Sequence, residues 1–143
     1  PEGRVDRQSL GAIVFGKSEE AERERRYLES LTHPRITQMF EIEKARYEKE
    51  GKLVMILDAP LLIEAGWANL CDEVIWIEST ESDRLLRAKE RGWSENEFRS
   101  REASQVSLED KRRRAGCVID NTGTRVETKF RVSVVWDSLL NKS

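Results

Sequence analysis

The sequence predicts an α/β fold built on a small parallel sheet with helices around it. Three observations predict it. Residues 52–66 (KLVMILDAPLLIEAG) hold a continuous apolar run at 53–57 between helical segments, the pattern of a central strand buried on both faces. A second β-rich run, EVIWI at 73–77, follows within a few residues. Three helix starts then separate it from a third short run, Cys117-Val118-Ile119, so strands alternate with helices as in βαβ units.

In chain order, Asp6 is placed to cap RQSLGAIVF, which sets Leu10, Ile13 and Val14 on one face. Ser18 opens a highly charged helix, EEAERERRYLESL, with sparse apolar residues. Thr32-His33-Pro34 is expected to restart the chain, since proline suits a first helical turn, and Ile36, Met39, Phe40, Ile42 and Ala45 mark a third helix ending near Gly51. After the strand at 53–57 comes a short turn or helix at 61–70, then the strand at 73–77. Thr80-Glu81-Ser82-Asp83 opens a helix over 83–90, and Arg91-Gly92-Trp93 stops it. Ser94 to Glu97 opens a helix to about Ser104, and Ser107 to Asp110 one to about Ala115. The strand at 117–119 closes in the turn signal Asp120-Asn121-Thr122-Gly123, and an amphipathic helix over 126–140 ends the chain. No repeat or low-complexity linker marks a boundary. The expectation is one domain over 1–143, with a helical segment at 1–51 and the rest of the core at 52–143. Three strands are few for this many helices, so further strands are expected to be missing or supplied from outside.

A chain of 143 residues is long enough for a core, and 38% hydrophobic with 36% charged residues describes a folded protein with solvated helices. The net charge of −2 demands neither nucleic acid nor an anionic membrane, and no apolar run approaches the length of a membrane span. Arginine supplies 17 of the 25 basic residues, a bias toward phosphate handling. Cys71 and Cys117 lack metal-like spacing and fit a reducing cytoplasm. His33 is the only histidine, which excludes zinc sites built on several histidines, and no metal ligand set is expected.

Chemistry is expected where the run at 53–57 ends, because ligands of open α/β sheets sit outside the carboxyl ends of the strands. Asp58 to Glu64 lies there, although a plain capped turn reads the same way. Arg84, Arg87 and Arg91 share one helix face, as a clamp on a polyphosphate or as a solvated surface; a capped helix on each side and a Gly at the break suit a lid. Asp120 to Gly123 is either a purine-binding strand end or an ordinary turn. His33 is either a phosphate contact or a polar contact at a helix start. Arg112-Arg113-Arg114 reads as a helix end, since cations suit the C-terminal turn and no aromatic residues interleave. Neither G-x-x-x-x-G-K-[ST] nor G-x-G-x-x-G occurs in these residues.

Taken together, D-R-x-x-L-G-x-I-V-F at 6–15, L-T-H-P-x-I at 31–36, D-A-P-L-L-I-E at 58–64, R-x-x-x-R at 87–91, A-S-Q at 103–105 and V-I-D-N-T-G at 118–123 resemble the dephospho-coenzyme A kinases. The resemblance covers essentially the whole chain. It implies a P-loop kinase fold like that of the nucleoside monophosphate kinases: a three-layer parallel sheet, a helical substrate-binding segment and a lid at about 83–115. It implies transfer of the ATP γ-phosphate to the 3′-hydroxyl of dephospho-CoA with Mg²⁺, in coenzyme A synthesis in the cytoplasm. Carried over, Arg7 and His33 belong to the substrate-binding region, and Pro60, Leu61, Leu62 and Glu64 line the substrate cleft. Arg87 and Arg91 become lid arginines on the ATP phosphates, and Asn121 and Gly123 flank the adenine.

The chain departs from that pattern in three places. The first strand, the Walker A loop and an aspartate resembling a catalytic base fall upstream of the matched residues, so this chain alone is expected to be inactive, with a gap or open edge in its sheet. Gly92 stands where the family has Asp, which puts the lid geometry in question. Gly116 also replaces an Asp, which puts the anchoring of the last strand in question. Two other readings stand beside the kinase. One is a loop-less relative that binds nucleotide, CoA or a protein without catalysis. The other is a different monophosphate-type kinase, against which His33-Pro34 and residues 58–64 argue. Asp58 occupies a Walker B position, with its role left open between Mg²⁺ contact and structure.

Overall fold

The computed structural model describes residues 3, 5–16 and 18–141. It forms two compact units, Pro1–Trp67 and Ala68–Ser143.

The first unit is helical. Helix α1 (Arg7–Val14) is capped by Asp6, whose carboxylate accepts from the backbone N–H groups of Gln8 and Ser9. Helix α2 (Glu19–Lys49) starts at Ser18, whose hydroxyl accepts from Ala21 N. Buried Val14 ends α1, and buried Ala21 lies in the first turn of α2. Gly16 lies against this junction, where an added Cβ would sit 3.0 Å from that of Ala21.

The expected break at Thr32-His33-Pro34 does not occur, and α2 runs unbroken through Pro34. Proline removes one donor from the helical ladder, the one that would reach Ser30 O, and the helix continues past it; the hydroxyls nearby bond to other carbonyls. Ser30 Oγ donates to Tyr27 O at 2.7 Å, Thr32 Oγ1 to Leu28 O at 2.8 Å, and Thr37 Oγ1 to His33 O at 3.0 Å. Ion pairs one turn apart line the helix, among them Glu22–Arg26, Glu43–Arg46 and Lys44–Glu48. Each adds only a few tenths of a kcal/mol, about 0.2–0.5, to so long a helix.

Residues 53–57 also differ from expectation. They have no ladder partner among the described residues, and Leu53, Val54 and Ile56 are 91%, 44% and 78% exposed. The run has strand propensity, but a strand exists only as one side of a ladder. Successive turns follow at 60–65, closed by Ala65 N to Leu61 O at 2.9 Å and Gly66 N to Ile63 O at 3.1 Å, and then a 3-10 helix, Trp67–Leu70. Gly66 takes φ +75°, where a side chain would be strained.

The second unit holds the parallel sheet. Strand β1 (Ile75–Glu78) pairs with β2 (Cys117–Asp120), Ile75 beside Cys117 and Glu78 beside Asp120. The crossover between them is helical: α3 (Glu81–Glu90), α4 (Glu95–Ala103) and α5 (Leu108–Arg113). Helix α6 (Arg125–Leu140) packs on β2. Ser94 and Thr124 make full capping boxes with Glu97 and Glu127. Among the described residues, Ala88, Phe98 and Ile119 are the buried apolar residues of this unit.

Gly116 turns out to anchor the last strand. A Cβ there would lie 1.8 Å from Glu73 Oε1, so the glycine admits that carboxylate, while Gly116 N and Cys117 N both donate to Val74 O, at 3.0 and 3.2 Å.

Candidate functional site

The candidate residues divide between the two units. Arg7, His33, Pro60, Leu61, Leu62 and Glu64 belong to the first; Arg87, Arg91, Asn121 and Gly123 to the second.

In the first unit, Arg7 is the exposed first residue of α1, with no ion pair among the described residues. His33 is half-buried in the middle of α2. The turn carrying Pro60, Leu61, Leu62 and Glu64 is half-buried except at Pro60, and one Glu64 carboxylate oxygen is shielded from solvent. Trp67 joins these two elements. Its ring is 6% exposed and meets the His33 imidazole edge-to-face at 5.2 Å between centroids. Its indole N–H donates to Thr37 Oγ1 at 2.9 Å. The structure thus brings the end of the 58–66 turn against the His33 segment of α2. The sequence reading missed Trp67 and Thr37; the one available signal was a tryptophan directly after the glycine that ends the turn.

In the second unit the three arginines of α3 have different surroundings. Arg84 is engaged: its guanidinium donates to Glu102 Oε1 at 3.0 Å and to Ser79 O at 2.6 Å, fastening α3 to α4. Arg87 and Arg91 are exposed and have no ion pair among the described residues. Arg91 is the C-cap of α3, and Gly92 follows at φ +82°. Gly92 N donates to Lys89 O and Trp93 N to Ala88 O, the paired bonds of a Schellman ending. Gly92 therefore serves the geometry of the arginine helix, because it takes the left-handed turn without strain. The hairpin is tied further by Arg99 between Glu81 and Glu95, and by Arg101 stacked 4.3 Å from the Trp93 ring centre. Gln105 of the A-S-Q segment accepts from the buried Lys111 Nζ at 2.7 Å.

At the end of β2, Asp120 accepts from Thr122 N and Thr122 Oγ1 and pairs with Arg131 at 3.2 Å. The Thr122 hydroxyl first, then its amide and the Arg131 charge, hold this carboxyl below its ordinary value. Asn121 N donates to Glu78 O and its side-chain oxygen accepts from Thr128, leaving the carboxamide NH₂ without a partner among the described residues. Gly123 has a structural reason to be glycine, since a Cβ would meet Glu127 Oε2, the carboxylate that caps α6, at 2.5 Å. Among the described residues no three His, Cys, Asp or Glu side chains come together to hold a metal ion. No described helix is long and apolar enough to cross a membrane.

The dephospho-CoA kinase family model (CoaE) matches residues 1–127. The dephospho-CoA kinase of Symbiobacterium thermophilum is 38% identical over 95% of this chain, which spans 56% of that protein. The Geobacillus kaustophilus enzyme is 38% identical over 96% of the chain, which spans 68% of it. Among solved structures, dephospho-CoA kinase from Campylobacter jejuni superposes with a TM-score of 0.63 at 28% identity, covering 99% of this chain and 69% of that one. A Thermus thermophilus protein gives a TM-score of 0.67 at 28% identity, over 97% of this chain and 70% of its own. The matched residues take in α1, α2, the 58–66 turn, the arginine helix and the end of β2, and with relatives this similar over nearly all its length the chain belongs to the dephospho-CoA kinase family.

Proposed function

We propose that the protein carrying these residues transfers the γ-phosphoryl group of ATP to the 3′-hydroxyl of dephospho-CoA, the last step of coenzyme A synthesis, in the cytoplasm. The 3′-oxygen bonds to the γ-phosphorus, the bridging P–O bond breaks, ADP leaves and the hydroxyl proton is released. The observation that carries this reading is the family match over residues 1–127, a range that takes in every candidate site segment.

Each residue has a part in this reading. Arg87 and Arg91 carry uncommitted guanidinium groups on a helix whose scaffold is fixed by Arg84, which suits them to gather the charge of the phosphates. The free NH₂ of Asn121 is a donor for a ring nitrogen of adenine, with Gly123 beside it. Arg7, His33, Pro60, Leu61, Leu62 and Glu64 hold dephospho-CoA. Mg²⁺ would enter on the nucleotide phosphates and neutralise part of their charge.

The test is ADP release with ATP, Mg²⁺ and dephospho-CoA, beside calorimetric binding of each nucleotide. Turnover that depends on dephospho-CoA is the expected result for the protein carrying these residues. Saturable binding of dephospho-CoA without ADP release would select a non-catalytic binder instead, and failure to bind either nucleotide would remove both readings.

A further inference from the structure

We infer that Trp67 is the positioning residue for His33, and that through Thr37 it fixes where the imidazole stands relative to the 58–66 turn. The inference rests on the reading above, in which His33 and that turn face dephospho-CoA.

Two independent contacts converge on residue 33. The first is ring to ring: imidazole and indole meet edge-to-face, at 5.2 Å between centroids and 62° between planes. Aromatic pairs prefer this arrangement, which restricts the imidazole through its two side-chain torsions. The second runs through the backbone. Trp67 Nε1–H donates to Thr37 Oγ1 at 2.9 Å, and Thr37 Oγ1–H donates to the carbonyl of His33 at 3.0 Å. The threonine hydroxyl accepts once and donates once, so the relay is complete. Among the described large hydrophobic side chains in this unit, only Val14 and Trp67 are buried. Trp67 lies immediately after Gly66, whose left-handed backbone ends the turn, so one ring fixes both the turn's exit and the imidazole. A side chain that must meet a ligand gains from being held before the ligand arrives.

His33 is the only histidine in the chain, so proton NMR of the full chain gives one imidazole Hε1 signal to follow. Dephospho-CoA is added to the parent chain, Trp67→Phe, Thr37→Val and Trp67→Leu. In the parent the signal is expected to move saturably. Trp67→Phe keeps a ring and loses the donor, and Thr37→Val keeps the shape and loses the relay. Both are expected to keep the parent's circular dichroism, bind dephospho-CoA roughly three- to tenfold more weakly and show a smaller His33 response, from the loss of one hydrogen bond. Trp67→Leu removes the ring and is expected to move the signal even without ligand. Trp67→Leu with an unmoved free signal overturns the inference whether or not ligand binds. Unchanged affinity and response in Trp67→Phe and Thr37→Val overturn it as well. A parent signal that ignores saturating dephospho-CoA, or a parent that binds none, overturns the substrate reading instead.

Discussion

The 58–67 turn on α2 and the α3–α4 hairpin place their candidate residues in opposite ways. In the first region the candidate side chain itself is held: His33 meets Trp67, and Trp67 is tied to Thr37. In the second the scaffold is held and the candidates are left loose. Arg84, Arg99 and Arg101 fasten the hairpin, while Arg87 and Arg91 reach solvent. The difference teaches which kind of ligand each region suits. In the proposed reading the substrate region is held before its ligand arrives, whereas the arginines are long side chains on a fixed helix that close on the phosphates once these are bound.

The sharpest way to break this comparison is to remove the loose cations. Arg87→Ala with Arg91→Ala is expected to lower kcat of the enzyme carrying this chain on the order of 10³-fold, with the melting temperature unchanged. Melting that falls with kcat would show the two arginines to be part of the scaffold after all. The converse variant is Arg84→Ala. It removes a half-buried pair with Glu102 and a bond to Ser79 O, and is expected to cost roughly 1–2 kcal/mol, read as a fall in Tm, with a smaller effect on kcat than the double variant. If Arg84→Ala abolished turnover at full stability, Arg84 would join the clamp.

How far the sequence could be read is clearest in the two apolar runs. LVMIL at 53–57 is the stronger strand signal of the two, yet only IWIE at 75–78 forms a ladder, because residues 117–120 lie beside it. Composition records that a segment suits a strand; the neighbour that completes it is a tertiary fact. Helix starts were more legible, since Asp6, Ser18, Thr80, Ser94 and Ser107 cap the helices they were expected to cap, through bonds within three residues. Pro34 misled because proline suits a first helical turn, yet the loss of one donor does not stop a helix of 31 residues. At the candidate site the motifs located the residues, but not that Arg84 is committed while Arg87 is not, nor that Trp67 sits on His33. Those depend on partners 18 and 34 positions away.

Gly92 sharpens the comparison within the hairpin. At φ +82° a β-carbon costs roughly 1–2 kcal/mol, so Gly92→Ala is expected to fray the end of α3 at Arg91. Gly92→Asp is expected to cost less, since Asp tolerates the left-handed region better than Ala. Comparing Tm and kcat of the two variants separates strain at the cap from loss of the arginine's position.

The smallest effect is acid sensitivity, and it too separates the regions. Around the second unit's caps and strand end, Glu97, Asp110, Asp120 and Glu127 all have carboxyls held below their ordinary values, chiefly by hydrogen bonds from Ser94, Ser107, Thr122 and Thr124. In the first unit, Asp6 and Glu22 are held down in the same way, by Ser9 and Arg26. A carboxyl whose native value is depressed binds fewer protons folded than unfolded near pH 4, so its stabilisation is full above the unfolded value and fades as pH falls through the native one. Asp6, Glu22, Glu97 and Glu127 are exposed and Asp110 and Asp120 half-exposed, so each contribution is small and weaker in salt. Melting scans between pH 6 and 3 should therefore show a falling Tm, with the larger share of the loss in the unit that holds four of the six. Asp120→Asn isolates one share: its Tm is expected to fall less steeply with acid than the parent's. An unchanged slope would mean that the bonds from Thr122 do not distinguish folded from unfolded chain, and the turn beside Asn121 would lose its claim to be held in advance of the nucleotide.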